Sequence, residues 1–213
     1  DYRAFTTWRS DIWELIGNFA HVENVRIAFM RNPPEYVVSD DLSWLDSIIH
    51  RTHGEYVDSK FLMTQGLRKR YKFLRAVHGT RAEDVEVFYR DGLVPLVPES
   101  FHNQAREIFL SGQYPELTEK SLQAAIATVG ADLREKRVFF EANEEMLIKQ
   151  AGHYMLYGSE YLTAIAANLG DRIDYRQILK KRGLPTLFVC DVPIDFIAER
   201  TLRNYGYYST ETF

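Results

Sequence analysis

The residues with the clearest chemical potential form the run Ala76-Val77-His78-Gly79-Thr80. The aromatic and apolar segment 71–77 before the imidazole is typical of a strand, and His78-Gly79-Thr80 is predicted to terminate it. A histidine at such an edge can hold a sugar hydroxyl through one ring nitrogen while the protein fixes the other nitrogen. Glycine lets the backbone approach a flat ligand, and exposed backbone groups there can pair with a primary amide. The alternative interpretation is a turn whose histidine simply lies on the surface.

A short helix is predicted after this run. Val85, Phe88 and Tyr89 share one side of residues 82–91, and Gly92 is a typical helix stop. The whole segment Leu74-Arg75-Ala76-Val77-His78-Gly79-Thr80-Arg81, with its helix and Gly92-Leu93, resembles the first strand and helix of the ADP-ribosyltransferase superfamily. The similarity is to its poly(ADP-ribose) polymerase-like and diphtheria-toxin-like branch. RNA 2'-phosphotransferases of the same fold share His-Gly-Thr, and they also use NAD. The resemblance therefore implies an NAD site.

Two later segments agree with this resemblance in their order. Val138-Phe139-Phe140 resembles the second family strand, where a Tyr normally stacks on nicotinamide, so Phe139 or Phe140 would take that role here. Tyr154 and Tyr157, in a helix predicted over 143–168, are candidates to close the nicotinamide sandwich, the alternative being core packing. Leu187-Phe188-Val189-Cys190-Asp191-Val192 resembles a buried structural strand of the family. The resemblance covers about residues 70–195 and leaves residues 1–65 unexplained.

The family's catalytic glutamate stabilises the charge that develops as nicotinamide leaves. After Cys190 the sequence offers Glu199, in a predicted solvent-facing helix, and Glu211, after a strand predicted over 205–209. We assign the role to Glu211. Two alternatives stay open, namely that the strand bearing the glutamate lies outside this sequence or that the protein has no transferase activity. In this scheme His78 binds the ribose, Gly79 the carboxamide, and Thr80 or Arg81 neighbouring polar groups.

Other chemically suggestive residues have simpler explanations. His50 and His53 are three residues apart, which suits a metal ion, but surface histidines fit equally well. The basic stretch Arg68-Lys69-Arg70 before the first strand could hold a phosphate, with solvated charges as the alternative. Cys190 in an apolar strand is expected to be inert. The sequence contains no Gly-x-Gly-x-x-Gly and no P-loop.

Composition sets wider bounds. The 213 residues carry a formal net charge of −4, so no overall basicity points to nucleic acid, although a local basic patch could still bind it. The single cysteine excludes an internal disulfide and fits a reducing, cytoplasmic compartment. No apolar run reaches the roughly 20 residues needed to span a bilayer, and no signal peptide opens the chain, so no membrane partner is expected.

Hydrophobic periodicity predicts the organisation of the chain. Apolar residues recur at helical spacing in 1–30, and further helices are predicted over 42–53 and over 57–67, the last closed by Gly66. Strands are predicted at 71–77, 137–140 and 185–193. We expect an α+β fold with an ADP-ribosyltransferase-like split β-sheet core. Its domains would be a helical N-terminal lobe over residues 1–66 and an NAD-binding core over residues 67–213.

The resemblance implies an enzyme that transfers ADP-ribose from NAD to a protein or nucleic-acid acceptor. Bacterial domains of this family often act as toxins or in defence against phage. One alternative is a non-catalytic NAD-fold module whose N-terminal helical lobe docks a partner protein. Another is an RNA 2'-phosphotransferase, which ranks lower because residues 1–70 show no recognisable arginine-rich module.

Overall fold

The computed structural model describes residues 5–36, 42–131 and 134–208. By its contacts the chain divides into two compact units, one formed by residues 1–75 and 191–213 and the other by residues 76–190. The domain boundary predicted between residues 66 and 67 does not coincide with this division. We call the first the helical unit and the second the cavity unit.

The helical unit contains five α-helices among its described residues. They are α1 (Phe5–Gly17), α2 (Val22–Arg31), α3 (Ser43–His53), α4 (Ser59–Arg70) and α12 (Glu199–Tyr208), with a 3-10 helix at Ile194–Phe196. Apolar residues at helical spacing in α1 and α3 are buried, including Ile12, Ile48 and Ile49 at 0% exposure. Gly54 ends α3 in the left-handed conformation, as expected from its position. The helical periodicity of this region is therefore confirmed.

Two boundaries in the helical unit were predicted wrongly. Gly66 does not close the third helix, because α4 continues to Arg70. A Cβ at Gly66 would lie 2.5 Å from Cδ2 of Leu15, so this glycine serves the close packing of α4 against α1. The strand predicted at 205–209 is also wrong, since residues up to Tyr208 belong to α12. Leu202 of that helix is buried in the same core as Ile12.

The cavity unit is built mainly of helices. They are α5 (Val85–Asp91), α6 (Pro98–Phe109), α7 (Glu119–Val129), α8 (Glu144–Ala151), α9 (His153–Tyr157), α10 (Glu160–Ala167) and α11 (Arg176–Lys180). Their core includes Ala105, Phe109, Leu122 and Ile165, all at most 1% exposed. The single helix predicted over 143–168 is wrong. The chain breaks at Gly152 and again at Gly158, which has φ +83°.

The two described strands, β1 (Phe73–Ala82) and β2 (Leu184–Pro193), pair antiparallel. His78-Gly79-Thr80 does not terminate the first strand as predicted, because β1 continues through this run to Ala82. The strand predicted over 137–140 is also wrong, and this segment approaches β1 through one isolated bridge between Val77 and Glu141.

The position of β2 agrees with the strand predicted at 185–193, but its predicted burial is wrong. Val189 is 57% exposed and Leu184 is 73% exposed. Because the sheet has two strands among the described residues, β2 pairs with β1 on one side and has no described strand on the other. The molecule is thus a mixed helical protein with a small antiparallel sheet, which agrees with the predicted α+β class. Within the described residues, no helix has the length and apolar character needed to cross a membrane.

Candidate functional site

One large cavity of about 1100 Å³ opens in the cavity unit. Ligand pockets in proteins typically enclose about 300–1,000 Å³, so this one has room for a ligand of dinucleotide size. It is lined by all seven residues predicted to bind the cofactor: His78, Gly79, Thr80, Arg81, Phe139, Tyr154 and Tyr157. These residues come from β1, from the irregular segment 137–140 and from α9, so the fold brings together three separate parts of the sequence.

His78 is held by one of its two ring nitrogens. Its Nδ1 lies 2.8 Å from the carbonyl oxygen of Phe139. A carbonyl can only accept a hydrogen bond, so Nδ1 carries the proton and donates it. In the neutral ring the other nitrogen, Nε2, is then an acceptor. The half-buried imidazole therefore offers the cavity a fixed acceptor, the arrangement expected for binding a sugar hydroxyl.

Gly79 is buried, and it directs its backbone groups to the same side of β1 as Val77 does. Val77 exchanges two backbone hydrogen bonds with Glu141, of 2.7 and 2.9 Å. Since backbone groups alternate along a strand, the N–H and C=O of Gly79 point toward this same edge. Among the described residues, no other backbone hydrogen bond joins this edge of β1 to the segment opposite. A donor and an acceptor side by side are what a primary amide needs.

The absence of a side chain at Gly79 has a different reason from the one predicted. A Cβ there would lie 2.9 Å from Cδ2 of Leu147 and 3.4 Å from Cγ of Met155. The glycine therefore allows α8 and α9 to pack closely on β1. The helices, and not a flat ligand, occupy the space that its missing side chain leaves.

Arg81 lines the cavity, but its guanidinium is engaged by the protein. Its Nε and Nη2 donate to the carbonyls of Arg182 and Gly183, each at 2.7 Å. Its Nη1 donates to the carbonyls of Met155 and Leu156 at the end of α9, at 3.1 and 3.4 Å. Arg81 thus ties β1 to the turn at 182–183 and to the break after α9, and it acts first as a positioning residue.

The aromatic residues at 139 and 140 differ in their surroundings. Phe139 is 61% exposed and lines the cavity, so its ring face is available for stacking. Phe140 contacts the edge of His78, with ring centroids 6.0 Å apart. Of the two candidates, Phe139 has the more accessible ring, and its own carbonyl fixes His78. One residue therefore provides an aromatic surface and orients the imidazole.

Tyr154 and Tyr157 lie on α9 and also play different parts. Tyr157 packs against the core of the cavity unit, and Cζ of Arg176 lies 5.6 Å from its ring centroid. Tyr154 is half-buried, and burial, followed by the negative charge of Glu160, raises the pKa of its phenol. The core-packing alternative thus describes Tyr157 well, and Tyr154 is the better candidate for an aromatic wall.

An ion pair inside the cavity was not anticipated from the sequence. The guanidinium of Arg134 makes two hydrogen bonds to Glu160, one from Nε and one from Nη2, the second at 2.7 Å. Both residues line the cavity. They are 26 positions apart, and neither belongs to a motif. Glu160 directly follows Ser159, whose hydroxyl caps α10, and this capping pattern is the one local signal that marks its position.

The remaining candidates fall outside this site. Glu211, assigned as the catalytic glutamate, lies outside the described residues. Glu199 is exposed in the first turn of α12, as predicted. Cys190, at the end of the cavity unit, is half-buried.

The basic stretch and the two histidines belong to the helical unit. Arg68 donates to the carbonyls of Ile194 and Ile197, and Arg70 pairs with Asp11 and Glu14. In the described part of the chain no group of three or more His, Cys, Asp or Glu side chains could hold a metal ion. His50 is half-buried and stacks on the ring of Tyr56, with centroids 3.7 Å apart.

Comparison with known proteins identifies no relative: no family model, curated protein or solved structure matches the chain.

Proposed function

We propose that the chain binds NAD in this cavity and transfers ADP-ribose to a protein or nucleic-acid acceptor. The observation that carries the proposal is the convergence of two complementary polar groups on one cavity. His78 offers a fixed acceptor for a ribose hydroxyl, and the Gly79 edge offers a donor and an acceptor for the carboxamide. Phe139 and Tyr154 supply aromatic faces in the same cavity.

The chemistry follows from these roles. The bond between C1' of the ribose and the nicotinamide nitrogen breaks, and its electron pair leaves with nicotinamide. Positive charge develops on the ribose, and a nucleophilic oxygen or nitrogen of the acceptor bonds to C1' and loses a proton. A preorganised carboxylate lowers the barrier by stabilising that charge. We assign this part to Glu211, in keeping with the resemblance described above.

The direct test is release of nicotinamide from NAD, measured by mass spectrometry. His78→Ala removes the acceptor, so we expect the rate to fall by about a hundredfold. His53→Ala is the matched control, because His53 is an exposed histidine that does not line the cavity. Equal release by the wild type and the His78 variant would refute the proposed site.

Binding and catalysis are separated by calorimetry with NAD. Glu211→Gln keeps the size of the side chain and removes its charge, so binding should persist while nicotinamide release falls. If the wild-type protein binds NAD without turnover, the chain is a non-catalytic NAD module, for which the Phe in place of the usual Tyr at 139 already argues. If it binds no NAD at all, the nucleotide site is wrong.

A further inference from the structure

The ion pair between Arg134 and Glu160 lies where an anionic ligand would compete for it. The guanidinium faces the carboxylate through two parallel hydrogen bonds, and the side chains are 24% and 40% exposed. The hydrogen bond to Glu160 raises the pKa of Arg134, so the guanidinium carries its full charge. This two-pronged geometry is also the one in which a guanidinium binds phosphate oxygens.

The surroundings of the pair connect it with the proposed nucleotide site. The charges of Arg134 and Glu160 both influence the phenol of Tyr154, which lines the same cavity. Tyr161 also lies close to the guanidinium. Because these aromatic groups reduce contact with water, a charge exchanged at this position interacts more strongly than it would on an open surface.

The other arginines of the cavity are less suited to receive a phosphate. Arg81 donates to four backbone carbonyls, which cannot move aside independently of the fold. Arg182 pairs with Glu83 in a more exposed position, with side chains 42% and 60% exposed. Arg137 also lines the cavity, but it is exposed, whereas Arg134 is half-buried. Arg134 pairs with a side chain that can move aside, and it is less exposed than Arg182.

We propose that Arg134 binds the diphosphate of the dinucleotide and that Glu160 competes with the diphosphate for it. This inference rests on the proposed function and adds a regulated affinity to it. The anionic ligand must displace the Glu160 carboxylate, which then repels the phosphates. Glu160 thereby weakens binding of diphosphates while leaving binding of the neutral nicotinamide group unchanged. The pair keeps the cavity closed to weak anions and yields to a ligand that is also held at His78 and Gly79.

Calorimetry with ADP-ribose and, separately, with nicotinamide tests the exchange. Glu160→Gln keeps a hydrogen-bond acceptor for Arg134 and removes the charge, so ADP-ribose should bind about tenfold more tightly. Arg134→Gln should weaken ADP-ribose binding by about tenfold or more. Neither variant should change nicotinamide binding. The gain in Glu160→Gln should shrink as salt rises, because it is electrostatic.

Glu83→Gln is the matched control, since it neutralises the other arginine partner of the cavity. It should leave ADP-ribose binding within about twofold of the wild type. Thermal unfolding of each variant confirms that it is folded. Unchanged or weaker ADP-ribose binding by folded Glu160→Gln overturns the inference, as does a loss of affinity in Arg182→Gln or Arg137→Gln but not in Arg134→Gln. Both of those results leave the proposed function standing, whereas a wild type that binds neither NAD nor ADP-ribose removes the proposed function itself.

Discussion

Two polar clusters, one in each unit, satisfy their hydrogen bonds in different ways. In the helical unit the carboxylate of Asp11 accepts from Tyr71 and from Arg70, and Arg70 also pairs with Glu14. Each of these groups has a hydrogen-bond partner within the protein. In the cavity unit His78 uses one ring nitrogen for a bond to Phe139, and Gly79 directs its backbone groups to the side of β1 on which Val77 meets Glu141.

This difference has a physical meaning. A buried polar group without a partner costs free energy, so a fold tolerates one chiefly where a ligand or water completes it. A network whose members bond to one another stabilises the fold, and a ligand can bind there only by displacing one of the members. The hydrogen bonds of a polar residue are therefore evidence, beside its residue type, for a structural or a binding role.

Arg81 gives the largest test of this distinction. It was predicted as a binding residue, yet it donates to four carbonyls in the manner of a structural group. Arg81→Met should lower the free energy of unfolding by about 3 kcal/mol, because it leaves those carbonyls without their donor. Arg81→Lys, which keeps the charge but not the fork of donors, should recover less than half of the loss. Urea unfolding measures both variants. A folded and equally stable Arg81→Met protein that has lost NAD binding would reverse the assignment.

A smaller effect is expected at Gly79, which combines an open backbone edge with a tightly packed face. In Gly79→Ala the new methyl group would lie 2.9 Å from the tip of Leu147, a side chain that can partly yield. We expect a loss of about 2 kcal/mol in the free energy of unfolding. Adding Leu147→Val should restore part of it, since the shorter side chain makes room.

Both variants keep the amide N–H and carbonyl of residue 79, so the double variant should bind nicotinamide as the wild type does. Nicotinamide calorimetry on the double variant checks this. A stable double variant with no nicotinamide binding would show that the missing side chain, and not the backbone edge, serves the ligand.

The local part of this site could be predicted from the sequence. The His-Gly-Thr run and the aromatic pair at 139 and 140 are short motifs, and the structure brings both to one cavity. The partners of Arg81 were not predicted, because they depend on a break after Tyr157. Gly158 and the helix cap Ser159 mark this break in the sequence, but the prediction of one continuous helix ignores them. The Arg134–Glu160 pair could not be found either, since no periodic pattern relates residues 26 positions apart.

The predicted elements show the same limit. Helices could be predicted from the spacing of apolar residues wherever one face of the helix is buried, as in α1 and α3. The end of β1 was misplaced because glycine was taken as a stop, while in the structure pairing with β2 carries the strand onward to Ala82. Tertiary pairing outweighs local propensity in strands. Glycine is not a reliable end of a helix either, since α4 continues through Gly66 to Arg70.

The smallest effect is expected in the hydrogen-bond network of Asp11, Arg70 and Tyr71 in the helical unit. The hydrogen bond from Tyr71 and the charge of Arg70 hold the pKa of Asp11 below its ordinary value of 3.8. Burial, together with the bond to Asp11, raises the pKa of Tyr71 from 10.0 to about 12. The bond requires an ionised Asp11 and a protonated Tyr71. Its contribution is therefore present between these limits, lost as pH falls below 3.8 and lost again as pH rises from 10 through about 12.

Tyr71→Phe removes this hydrogen bond while keeping the ring in the helical core. We expect the free energy of unfolding near neutral pH to fall by about 1.5 kcal/mol, with NAD binding unchanged. Urea unfolding of both proteins at about pH 3, 7 and 11 should show the difference shrinking at the two extremes. A difference that stays constant with pH would mean that the hydroxyl contributes through packing alone. A change in NAD affinity would contradict the distinction between the structural network around Asp11 and the polar groups proposed to bind the ligand.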